Sequence, residues 1–312
     1  MGGPHPHQPH LGELAVAFYW TRRAMGRNAQ GPAAGDGFLT WAEIAPWQQR
    51  ASFSYITSIW SILAIHNETT NIWSHLLGAL LFAGLFAHFF ILSHLADGVR
   101  TEDGVALGVY YMAVVVCFVL STSFHTFSDH SPEIHKLGNE LDHLGIVFVM
   151  WGTGVSLAHF AFYCHPAIRN VYLVLLTATA VGCGIFTLQP KFRQPSYRLV
   201  RFLMYALLGA SLFTPVAQGL RRFGWQGLDE MAGLDSFFGL AAVNFSGSAV
   251  YAMRVPERWF PGRFDLLGQS HNWMHLLVVT GALIRLNGLV QVVGRWQGYN
   301  GAALDGFCAK LE

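Results

Sequence analysis

Ala79-Leu-Leu-Phe-Ala-Gly-Leu-Phe86 is the stretch on which the fold turns. It sits inside a longer uncharged run, Ile72–Leu95, and carries no polar residue on any helical face. A helix in a large soluble protein keeps a polar stripe toward water. A helix that is apolar all round must be surrounded by apolar matter, and a run of about 20 such residues spans a hydrocarbon core of roughly 30 Å. The same pattern recurs along the chain. We place spans at Ile72–Leu95, Val105–Phe127, Leu141–Tyr163, Val171–Leu188, Phe202–Leu220, Met231–Met253 and Ser270–Val293. The expected fold is therefore an all-α integral membrane protein with seven transmembrane helices.

Composition agrees with this. Of the 312 residues, 53% are hydrophobic and only 12% charged, about half the charged share of a soluble domain. A net charge of +1 offers no basic face for nucleic acid. Four cysteines without CxxC spacing exclude a cysteine zinc knuckle and a dense disulfide framework. Cys164 and Cys308 fall on one side of the predicted membrane, so a disulfide between them is allowed. No basic segment followed by an apolar run opens the chain, so no cleaved signal peptide is expected.

Four regions follow. Residues 1–39, rich in Gly, Pro, His and Ala, read as a flexible tail. Residues 40–66 include the apolar stretch Phe53–Ile65, too short to cross, with Trp41, Trp47 and Trp60 nearby; they read as an amphipathic interfacial segment. Residues 67–295 form the membrane domain, and 296–312 a short extracellular or lumenal tail. Of the 19 Lys and Arg, twelve lie in the N-terminal segment and the second, fourth and sixth loops, against six on the other side. The positive-inside rule then puts the N-terminus in the cytoplasm. This is opposite to G-protein-coupled receptors, and neither Asp-Arg-Tyr nor Asn-Pro-x-x-Tyr stands where that class carries it. Arg201 reads as an anchor snorkelling to the interface at the start of the fifth span, and Arg285, roughly 22 Å along the seventh from Ser270, as one reaching the outer surface.

Ionisable groups inside a membrane are costly, so their positions carry information. The second span ends in Ser121-Thr-Ser-Phe-His125, the third begins with Leu141-Asp142-His143, and the seventh begins with Ser270-His271-Asn-Trp-Met-His275. Topology brings all three clusters to one depth on the cytoplasmic side. His271 and His275 share a helical face and can chelate one ion. His125 can add a third nitrogen, giving the ligand set of a catalytic zinc with one open position. Positions 272–274 lack the Glu of the metalloprotease pattern, so a general base must come from elsewhere. Asp142 is the candidate, able to hold a water and accept its proton; the bland alternative is a cap on the third span. Ser121, one turn from His125, could hydrogen-bond the water or a ligand, or only its own backbone. His75, His130, His135 and His143 lie near this face and read as structural or loop-exposed. His5, His7 and His10 read as part of a solvated tail.

His66-Asn-Glu-Thr-Thr-Asn-Ile-Trp-Ser-His-Leu-Leu-Gly78, Ser121-Thr-Ser-Phe-His-Thr126, Leu141-Asp-His-Leu-Gly145, Arg254-Val-Pro-Glu-Arg-Trp-Phe-Pro-Gly-Arg-Phe-Asp265 and Gln269-Ser-His-Asn-Trp-Met-His275 occur in this order. Together they resemble the progestin and adipoQ receptor family, related to haemolysin III, and its adiponectin-receptor branch in particular. The resemblance covers roughly residues 45–300. It implies seven spans, a cytoplasmic N-terminus, and a zinc ion held by His125, His271 and His275 with Asp142 and Ser121 beside it. It further implies a lipid-filled cavity and a link to lipid signalling, with ceramide hydrolysis proposed for the receptor branch. His143 stands where the animal receptors often carry Tyr, and the N-terminal tail is shorter than theirs.

Three functions are weighed. The first is a zinc-dependent hydrolase of ceramide or a related lipid amide, with membrane lipids as partners and ceramide or a fatty acid as ligand. The second is a receptor for an extracellular protein or steroid ligand, its zinc structural. The third, a transporter, would need polar groups across the whole bilayer rather than at one face. The expected location is a plasma or internal membrane.

Overall fold

The computed structural model describes residues 54–95, 99–193, 197–260, 263–264, 266–297 and 308. The tail expected over residues 1–39, the interfacial segment before residue 54 and most of the C-terminal tail lie outside them. A short helix α1 (Tyr55–Ser61) precedes α2 (Thr69–Leu95), α3 (Thr101–Phe127), α4 (Pro132–Ala161), α5 (Pro166–Leu188), α6 (Arg198–Ser211), α7 (Phe213–Ala232), α8 (Leu234–Met253) and α9 (Ser270–Gln297). Seven helical spans are long and apolar enough to cross a membrane, with α6 and α7 together forming the fifth. The protein is an integral, multi-pass, all-helical membrane protein.

Several helix limits differ from the sequence reading, each for a local reason. The third span starts at Pro132, not Leu141. Ser131 caps it by accepting the Ile134 N–H, and Pro132 takes the first helical position, where its missing N–H costs nothing. Glu133, Lys136 and Glu140 are polar but helical, so hydropathy alone cuts this helix short. Asp142 consequently lies well inside α4 and is no cap. The fifth span is divided at Leu212, whose N–H bonds the Gly209 carbonyl, a tighter i to i+3 turn. The sixth begins at Leu234 because Gly233 adopts φ +64°, a left-handed conformation that stops α7 there.

Arg285 does not snorkel. It is 0% exposed, and its Nη1 donates to the Ala232 and Gly233 carbonyls and to Ser236 Oγ. It thus caps the C-terminal end of α7, where orphan carbonyls and the helix dipole both favour a cation. Arg201 lies in α6, but its side chain is outside the described residues.

The packing positions the site. α2, α3 and α9 converge, and α3 lies along α4. A Cβ at Gly145 would come within 2.9 Å of the Cys117 Cα, so only glycine allows this backbone approach. That contact is three residues from Asp142 and sets how near α4 stands to α3. Tyr110 donates to the Ala282 carbonyl at 2.9 Å, and Asn272 donates to Asn71 at 2.8 Å, tying α9 to α3 and α2. At the opposite end of the bundle, His159 bonds Asp103 at 2.8 Å, Tyr163 stacks on Trp296, and Cys164 is joined to Cys308 by a disulfide.

Candidate metal centre

His125 comes from the last turn of α3, and His271 and His275 from the first turns of α9. One ligand atom from each lies within 4.8 Å of the others, an arrangement that could hold a metal ion. The two α9 rings point their Nε2 atoms at one another, 2.9 Å apart, as their i, i+4 spacing dictates. Around a tetrahedral ion with bonds of about 2.0–2.1 Å, nitrogen pairs stand about 3.3 Å apart, between these two separations. His125 Nε2 is buried with no hydrogen-bond partner among the described residues. A buried nitrogen without a partner is costly, and an ion on His125 Nε2 removes that cost.

The other nitrogen of His125 is already committed. Its Nδ1 lies 2.7 Å from Glu68 Oε2, which also accepts from Asn71 Nδ2 at 2.7 Å. A carboxylate on Nδ1–H leaves the lone pair on Nε2, facing the triad, the usual outer partner of a metal-binding histidine. Burial pushes the Glu68 carboxyl up, but the His125 and His271 rings and the bonds from His125 and Asn71 outweigh it and hold the group down at about 2. Glu68 is therefore a carboxylate at neutral pH. Its backbone N–H bonds His66 Nδ1, while His66 Nε2 donates to the Ser61 carbonyl. Burial holds the His66 pKa below its ordinary value, with the Ser61 carbonyl opposing, consistent with this neutral tautomer.

Asp142 stands on α4, outside the three-histidine group, close enough for its charge to act on both His125 and Cys117. Ser121 lies one turn before His125, almost fully buried, and its Oγ has no hydrogen-bond partner among the described residues. The clusters from α3, α4 and α9 thus lie in one neighbourhood. His143 is held by the Asn139 carbonyl and His135 lies against the Ser128 carbonyl. His75 stacks on His275 at 3.9 Å and on Phe118 at 4.6 Å, walling the site on the α2 side. His130 stacks on Tyr55 of α1.

Two positioning residues escaped the sequence reading. Glu68 stands in the His66–Gly78 stretch, but only the folded chain reveals that it meets His125, 57 residues away. Glu257 accepts both the N–H and the hydroxyl of Ser270, capping the turn that carries His271; nothing in local sequence pairs residues 13 apart across a loop. A Glu68→Ala variant is expected to weaken metal binding by about 10–100-fold, the usual effect of losing such a partner. Competition titration with a chromophoric chelator measures this. Affinity equal to wild type would show that Glu68 does not set the His125 tautomer.

Comparison with known proteins follows the same residues. The haemolysin-III-related family model matches residues 63–286. The chain is 33% identical to the adiponectin receptor protein of Drosophila melanogaster over 74% of its length and 52% of that protein. It is 29% identical to the ADIPOR-like receptor IZH2 of Saccharomyces cerevisiae, over 86% of the chain and 90% of the yeast protein. It is 29% identical to the progestin and adipoQ receptor-like protein 1 of Caenorhabditis elegans, over 75% of the chain and 53% of that protein. The matched region spans about half the length of the fly and nematode relatives.

Proposed function

We propose that this chain, which belongs to the haemolysin-III-related family in its adiponectin-receptor-like branch, is a zinc-dependent hydrolase of ceramide or a related lipid amide, coupled to lipid signalling. The observation that carries the reading is the three-histidine group, with His125 and His275 buried and His271 partly so, and a carboxylate already fixing one tautomer. Three histidines with an open fourth position form a catalytic zinc set rather than a closed structural one. The site lies at membrane depth, where a substrate with two acyl chains can reach it without leaving the bilayer. In the orientation given by the charge bias, it faces the cytoplasm.

A zinc ion held here would supply Lewis acidity and would make water acidic near neutral pH. His125, His271 and His275 would hold the ion, and Glu68 holds His125. Asp142 accepts the proton of the attacking water and delivers it to the sphingoid nitrogen as the C–N bond breaks, leaving a fatty acid and an amine. Ser121, its hydroxyl without a partner among the described residues, orients the water or the carbonyl. Membrane lipids are the partners this chemistry requires, in the plasma membrane or an internal one.

A second reading rests on the relatives, of which the fly and yeast proteins are named as receptors and the nematode protein as receptor-like. In it the chain senses an extracellular protein or steroid ligand and the zinc is structural. Purified full chain, given ceramide before chelation, after chelation and after zinc is restored, separates the two. Fatty acid release that disappears with chelation and returns with zinc is expected. One zinc per chain with no release favours the receptor.

A further inference from the structure

The loop from α8 to α9 lies on the triad's side of the bundle, because α9 begins there with His271 and His275. Its described part is ordered by its own backbone. Arg258 N–H bonds the Arg254 carbonyl, Trp259 and Phe260 N–H both bond the Pro256 carbonyl, and Arg263 N–H bonds the Phe260 carbonyl. Its base is pinned to α9 through Glu257 and Ser270. The tip is turned outward: Trp259 is 67% and Phe260 47% exposed, with Arg258 and Arg263 exposed beside them. Arg263 lies over the Phe260 ring, 5.8 Å from its centroid. Pro261, Gly262 and Asp265 lie outside the described residues.

Two exposed aromatics on a fixed turn would be a liability in water. They suit the interfacial layer, where an amphipathic ring sits at headgroup depth. The flanking arginines select among headgroups. Glu257, the acidic residue of this loop among the described ones, accepts from Ser270, so its charge is turned toward α9. On the same side of the bundle, α1 packs on the end of α3 through Ser58 and Asp129 and exposes Ile56 and Trp60.

We propose that this loop is a docking site for anionic phospholipid headgroups of the leaflet on the triad's side. Trp259 and Phe260 enter the interfacial layer, and Arg258 and Arg263 pair with the phosphates and carboxylates above it. Phosphatidylcholine is zwitterionic with no net charge, whereas phosphatidylserine adds a carboxylate and is net negative, so the two arginines attract the latter more strongly. The loop therefore prefers phosphatidylserine to phosphatidylcholine.

The test uses the full chain in nanodiscs of phosphatidylcholine with phosphatidylserine. Either lipid carries a photoactivatable group near the headgroup, and crosslinks to residues 254–267 are read by mass spectrometry. Wild type is expected to crosslink phosphatidylserine about 25-fold more than phosphatidylcholine, about fivefold from each arginine. The preference should fall about fivefold for each of Arg258→Gln and Arg263→Gln, as expected for a basic residue at an anionic surface. It should also collapse at an ionic strength of about 0.5 M, where charges are screened within a few ångströms. Equal labelling by both lipids, or a double variant that labels like wild type, overturns the proposal. If the variants fail to fold, the salt dependence of wild type decides alone.

Discussion

Asp142→Ala is expected to lower ceramide turnover by about 10²–10⁴-fold, the range for losing a positioned general base, while zinc stays in place. The three nitrogens of the metal group come from α3 and α9, whereas Asp142 stands on α4, so the variant removes the proton acceptor and leaves the ligands. The loss should fall on kcat with little change in KM, since Asp142 acts on the transferring proton rather than on the acyl chains. Asp142→Asn, which keeps the shape and removes the charge, should behave like the alanine variant. Metal content and turnover measured on one sample decide the matter. Turnover within about threefold of wild type at equal zinc content would remove Asp142 from the mechanism.

His275→Ala is expected to bring bound zinc from about one per chain to near zero, and His271→Ala to do the same, because two remaining imidazoles make a poor zinc site. His275 is the more severe. It is buried between the His75 ring and the His125 edge, so its removal opens a cavity and takes away the ring on which His75 stacks. His143→Ala is the control: its Nδ1 is held by a backbone carbonyl of its own helix, and metal content should not change. Elemental analysis of the purified variants, with circular dichroism to verify that the helices persist, gives the answer. Full zinc in both α9 variants would mean that the ion sits elsewhere.

Much of this site was legible before folding. Ser121 and His125 end one span, Asp142 begins the apolar part of another, and His271 and His275 open a third. Alternating direction alone puts such positions at one depth. What stayed hidden has a common character. Glu68 and Glu257 act through partners 57 and 13 residues away, and no periodicity couples such positions. Arg285 was placed correctly along its helix and wrongly around it. A basic side chain late in a span has two ways to escape hydrocarbon, outward to the headgroups or inward to unsatisfied carbonyls, and the open backbone at Gly233 supplied the second.

The sequence by itself determined the number of spans, their approximate limits and the depth of each ionisable group. These follow from composition along one dimension, because hydrocarbon tolerates only apolar, internally bonded segments of about 20 residues. The tertiary structure alone decided which way each helix turns its polar residues, which carboxylate holds which histidine, and that Cys164 meets Cys308. Rotation about a helix axis costs nothing in an apolar solvent. It is settled only when neighbouring helices pack, as α3 and α4 do at Gly145, and when each buried polar atom finds a partner.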